Sequence, residues 1–165
     1  MRIHLLRHGI AEDRAATGND HDRALTEEGW RRLRKAIRTW RALVPRPDQV
    51  WVSPLLRAQQ TAEVLCAALD APAARVEPCL SPESGCQTAA HLLEAEQLAG
   101  VGSIVLVGHE PHLGHLLGLL LTGQRHQPIP LKKGMLVGVE THSPASLLAE
   151  LRFALSQRAA AEWGG

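Results

Sequence analysis

No stretch of this 165-residue chain is apolar for long enough to cross a bilayer. The longest apolar run lies around Leu116 to Leu121, far short of the roughly 20 residues a spanning helix takes. Arg2, His4 and Arg7 interrupt the only apolar stretch near the N-terminus, so no secretory signal is expected. An excess of either charge is also missing, with 18 Lys and Arg against 17 Asp and Glu. A nonspecific nucleic-acid binder draws its affinity from clustered positive charge, so neither nucleic acid nor a membrane is an expected partner. Cysteine is scarce: Cys66, Cys79 and Cys86 make an odd set with no CxxC. That argues against a disulfide framework and makes a reducing cytoplasm the expected location. No internal repeat, linker or low-complexity tract stands out, and the length suits one compact domain over residues 1–165.

What is present alternates between strand and helix. Residues 3–7 read as a buried strand, and residues 9–24 as a long polar loop of the kind that carries function. Thr26 caps a helix over 26–43, in which Trp30, Leu33, Ile37 and Trp40 share one face and Glu27 and Glu28 suit the helix dipole. Arg31, Arg34, Lys35, Arg38 and Arg41 form its outer surface, read as a solvated face. Residues 49–53 read as a second strand. Ser53 is placed to cap the following helix, which runs to 69, with Pro54 in its first turn. A short strand follows at 75–77. Ser84 and Gln87 have capping-box spacing for a helix to 98. The apolar run 103–108 reads as a central strand, Pro111 opens a helix to 121, and residues 135–140 and 148–153 read as late strands. Residues 147–161 also fit a helix. The class is α/β, a three-layer α/β/α sandwich around a mostly parallel sheet.

Three sites then share one logic. Arg7 and His8 follow the first strand, Arg57 lies in the first turn after the second, and His109 follows the strand at 103–108. Open α/β sheets place their ligand crevices at the carboxyl ends of strands. Two guanidinium groups can spread donors over phosphoryl oxygens. One imidazole can attack phosphorus while the other stabilises the charge that develops. His109, His112 and His115 also invite a metal reading, but no Cys or Asp completes a short motif, so no metal is expected. Lys132 and Lys133 read as a solvated pair. Asp13, Asp20 and Asp22 could supply an acid or simply pair with Arg14 and Arg23. His4 reads as structural, and His21, His91, His126 and His142 as loop or surface residues.

The stretches LLRHGIAE at 5–12, RALTEEG at 23–29, VSPLLRAQQTAEVL at 52–65 and IVLVGHEPHLG at 104–114, with ELRFALS at 150–156, resemble the histidine phosphatase superfamily. This is the phosphoglycerate-mutase-like fold, and the SixA-type phosphohistidine phosphatases are the most similar branch. The resemblance implies a metal-independent and cofactor-independent phosphatase in cytoplasmic signal transduction. It would have His8 as the phosphorylated nucleophile and Arg7, Arg57 and His109 as the phosphate pocket. Arg23 matches an arginine near the site, although Ala24 stands where the family usually has proline. His112 is expected at the pocket mouth. Ester-cleaving relatives carry an acid after the third strand, and Glu83 is the only carboxylate in the matching loop. Three functions remain open: a phosphohistidine-protein phosphatase, a phosphatase or mutase of small phosphate esters, and a phosphoryl-binding module with little turnover. The short chain leaves little material for a substrate cap, which favours the first.

Overall fold

The computed structural model describes residues 1–124 and 127–163; His126 lies outside them. Six strands form one sheet in the order β3-β2-β4-β1-β5-β6. They are β1 (Arg2–Arg7), β2 (Gln49–Val52), β3 (Arg75–Val76), β4 (Ser103–Gly108), β5 (Leu136–Ser143) and β6 (Ser146–Leu155). β3, β2, β4 and β1 are parallel to one another, β5 runs antiparallel to β1, and β6 runs antiparallel to β5. Five helices accompany them: α1 (Glu27–Leu43), α2 (Leu56–Leu69), α3 (Cys86–Leu98), α4 (His112–Thr122) and α5 (Gln157–Trp163).

Strand alternation sorts the core into two layers. Ile104 and Leu106 of β4 face Leu93 of α3 and Leu113 and Leu116 of α4. Val105 and Val107 face the other way, toward Leu33 and Trp40 of α1 and Leu65 of α2. Every residue of β4 is buried, which explains why it reads in the sequence as a continuous apolar run. Each large side chain enclosed this way contributes about 1.5–3 kcal/mol. Helices on both faces make the expected three-layer sandwich, and they leave the carboxyl ends of β1 and β4 side by side at the centre, with Arg7 paired to Gly108.

Several local expectations meet the structure differently. Thr26 caps α1, accepting the Gly29 N–H at 3.0 Å. The cap of α2 is Leu55, with no side-chain bond, so Ser53 is not the cap. The capping box at Ser84 and Gln87 does not form, because the cap of α3 is Gly85 and Ser84 Oγ donates to the Pro78 carbonyl instead. Of the residues that also fit a helix, those up to Leu155 pair as β6 and only Gln157–Trp163 are helical. Among the described residues no helix is long and apolar enough to cross a membrane.

The long loop is closed at its base. Ala11 bridges Leu25, and the Thr26 N–H donates to the Ile10 carbonyl at 3.0 Å. A Cβ on Gly29 would lie 2.1 Å from that same carbonyl oxygen, so only glycine lets α1 press this close. The RALTEEG stretch is thus a clamp on the loop.

Candidate active site

Arg7, His8, Arg57 and His109 meet at the carboxyl ends of β1, β2 and β4. The His8 and His109 rings lie 4.9 Å apart, centroid to centroid. The His8 N–H donates to the Gly108 carbonyl at 3.0 Å, continuing the β1–β4 ladder into the site. His8 Nδ1 lies 2.7 Å from the Gly9 carbonyl. A carbonyl only accepts, so the ring proton sits on Nδ1 and the Nε2 lone pair is left for attack.

Arg7 Nη1 donates to the Leu131 carbonyl at 2.7 Å. Leu131 N–H in turn donates to Glu110 Oε1 at 3.0 Å, so the residue after His109 braces the segment that holds Arg7. Arg57 is buried, and it donates from Nη1 to the Asp20 carbonyl at 2.8 Å and from Nη2 to Asp20 Oδ2 at 2.9 Å. Arg23 Nη1 reaches the other oxygen of that carboxylate at 2.7 Å. The hydrogen bond from Arg23, and after it the hydrogen bond and charge of Arg57, hold the Asp20 carboxyl below the usual range. His109 Nε2 and Ser53 Oγ share a hydrogen bond of 2.8 Å, which is where the supposed cap serine is used. Arg7 Nε, Arg57 Nε and His109 Nδ1 are all buried without a hydrogen-bond partner. Buried polar atoms are rarely left so, and these three belong to the residues gathered at the strand ends.

Burial, with the positive charge of Arg57, Arg7 and Lys133, lowers the His8 pKa from 6.5 to about 4 despite the Gly9 carbonyl. Burial lowers His109 further, to about 2, with His8 and Arg57 adding to it. Both rings are therefore neutral at pH 7. Gly134 N–H bonds the Arg7 and His8 carbonyls at 3.1 and 3.0 Å, which brings the neighbouring Lys133 near enough for its charge to act on His8. Gly134 has φ +67, a conformation that glycine adopts without strain. Lys133 is thus more than the solvated residue its sequence suggests.

The remaining candidates separate. Arg23 reaches the cluster through Asp20. His112 is buried and, with His115, lines a cavity of about 270 Å³ beside Pro82, Ser84, Gly85, Cys86, Gln87 and Pro111. Glu83 is exposed. Its carboxylate is hydrogen-bonded by the Ser81 hydroxyl, which holds its pKa below the usual range. Cys79 and Cys86 are buried, and burial raises the Cys66 and Cys79 thiols, so these two are not activated as nucleophiles. Among the described residues no cluster of three or more His, Cys, Asp or Glu is arranged to hold a metal. The Asp20 bonds to Arg57 and the Ser53 bond to His109 are contacts that the sequence reading did not assign. The Asp20–Arg23 spacing of three was the one signal available for the first.

Buried neutral histidines make the fold acid-sensitive. His4, in the middle of β1, is also lowered to about 4, chiefly by burial. With folded pKa values below the unfolded 6.5, His4 and His8 stay neutral while the unfolded chain takes up protons. Stability therefore falls as pH drops through 6.5 and levels off near 4 for these two groups, each contributing about 1.4 kcal/mol per pH unit in between. Urea unfolding at pH 7 and pH 5 should show this loss, and His8→Gln should lose less over the same interval.

The comparisons with known proteins give the family and the fold. The family model of the histidine phosphatase superfamily, branch 1, matches residues 3–81. Phosphohistidine phosphatase SixA of Escherichia coli (strain K12) is 33% identical over 125 residues, 75% of this chain and 76% of that protein. The chain belongs to the histidine phosphatase superfamily. An uncharacterized protein of Picosynechococcus sp. is 36% identical over 141 residues, 86% of each chain. The structure of the protein histidine phosphatase SixA complexed with tungstate aligns with a TM-score of 0.86 at 28% identity, over 96% of this chain and 98% of that one. The alpha-ribazole phosphatase from Shigella flexneri shares the fold, with a TM-score of 0.70 at 19% identity over 95% and 97% of the chains.

Proposed function

We propose that this phosphatase removes phosphate from phosphohistidine on a protein, through a phospho-His8 intermediate. The observation that carries the reading is a neutral His8 with Nδ1 on the Gly9 carbonyl and its ring 4.9 Å from that of His109, close to the charges of Arg7 and Arg57, whose Nε–H groups have no protein partner. Phosphoryl oxygens satisfy such donors, and the same groups stabilise the charge of an in-line transfer. His8 Nε2 attacks phosphorus as the bond from phosphorus to the substrate imidazole breaks. The departing ring takes a proton from solvent on its other nitrogen and leaves neutral. Nδ1–H of His8 stays on the Gly9 carbonyl and steadies the phosphorylated, positively charged ring. Water then attacks phospho-His8, inorganic phosphate departs and the Nε2 lone pair is restored. The SixA relatives support this substrate, while the alpha-ribazole phosphatase is the reason small esters stand as the second reading.

Glu83 separates the two. An alkoxide leaves poorly unless an acid protonates it. The Ser81 hydroxyl and the Glu83 backbone N–H keep this carboxylate ionised at neutral pH, so it holds no proton to give. Phosphohistidine is therefore expected to exceed phosphoserine and sugar phosphates in kcat/KM by about 10²-fold or more. Glu83→Gln is expected to change phosphohistidine turnover by less than about threefold, within ordinary surface-substitution effects. Steady-state kinetics on both substrate types test this. Efficient ester hydrolysis that collapses in Glu83→Gln would move the protein to the small-ester branch.

A further inference from the structure

We infer that Asp20 is a positioning residue for phosphoryl transfer: it holds the Arg57 guanidinium by both Nη atoms in one fixed orientation close to His8 and His109. The inference rests on the phosphatase reading above and names a part of the machinery outside its four residues. Asp20 uses two different groups on one guanidinium, its carbonyl for Nη1 and its carboxylate for Nη2. A fork held at both tines cannot rotate about its own axis. What remains free is Nε, buried and without a partner. The second carboxylate oxygen takes Arg23 Nη1, and Arg23 Nε donates to the Glu12 carbonyl at 2.6 Å. Asp20 therefore joins the clamped loop to the pocket floor.

The turn that carries Asp20 is built for it. Residues Asp20–Asp22 form a 3-10 turn whose cap, Asn19, accepts the His21 N–H at 3.1 Å. Thr17 Oγ1 donates to Asp22 Oδ2 at 2.7 Å. The charge of Asp20 also reaches His109. A carboxylate in an anion pocket opposes ground-state binding of phosphate through its charge, so its advantage has to come from geometry. That gives positioning a signature distinct from simple attraction.

The experiment measures two quantities on the full chain, in wild type, Asp20→Asn and Asp20→Ala. One is the single-turnover rate of His8 phosphorylation by free phosphohistidine, which excludes slow product release. The other is the affinity for inorganic phosphate by calorimetry. The expected result is a transfer rate lowered by about ten- to a hundredfold, with phosphate affinity unchanged or tighter. On an Arg57→Lys background the same substitutions should lower the rate by less than about threefold, because there is no fork left to hold. A rate at or above wild type with tighter phosphate binding would make Asp20 a mere competitor and overturn the inference. Rate and affinity falling together, or full additivity with Arg57→Lys, would overturn it as well. Failure of wild type to form phospho-His8 at all would instead overturn the phosphatase reading.

Discussion

His8→Ala is expected to lower phosphohistidine turnover by at least about 10³-fold, about 4 kcal/mol of barrier, and to abolish labelling of the protein by substrate phosphate. Among the described residues, the ring pairs a free nitrogen lone pair with a neutral charge state and a carbonyl to steady the phosphorylated product. His109 is close and neutral too, but its Nε2 is engaged by Ser53. Quenching at neutral or alkaline pH preserves a phosphorus–nitrogen bond, and mass spectrometry then locates it. Phosphate on His109, or activity surviving in His8→Ala, would sink the assignment. The acid limb of phospho-His8 formation should fall near pH 4 rather than 6.5, because protonation of Nε2 removes the attacking lone pair and burial delays it.

Arg57→Lys is expected to cost about 10²-fold or more in kcat/KM, the scale of losing one transition-state donor. Lysine keeps the charge but offers a point where the guanidinium offers a plane. It cannot reproduce the planar fork that meets the Asp20 carbonyl and carboxylate together. Phosphate affinity should weaken as well, which separates this variant from Asp20→Asn. Circular dichroism and the urea midpoint check that the buried site tolerates lysine. Near-wild-type kinetics would show that Arg57 does not contact the transferring group.

The strands, and the meeting of Arg7, His8, Arg57 and His109 at their ends, were legible because they rest on short-range rules. The apolar run 103–108 is β4 residue for residue, and Thr26 caps α1 as its side chain predicts. The caps of α2 and α3 were not legible, because Ser53 and Ser84 spend their hydroxyls on partners distant in sequence or on another loop carbonyl. Asp20 and Lys133 were ambiguous for a related reason. A charged loop residue becomes part of a site only when backbone contacts elsewhere fold its loop inward, as Gly134 does through the Arg7 and His8 carbonyls.

The clamp at the base of the long loop has an evolutionary consequence. With Ile10, Ala11, Leu25 and Thr26 joined, the intervening segment is a closed ring whose length is nearly independent of the sheet. Doubling such a ring costs only about 0.6 kcal/mol of closure entropy, and the core layers stay untouched. Inserted residues would nonetheless carry Asp20 away from Arg57. If Asp20 positions Arg57 as inferred, the transfer rate in this scaffold can therefore drift through loop length alone, with thermal stability almost constant, so that melting temperature is a poor guide to which variants still transfer phosphate.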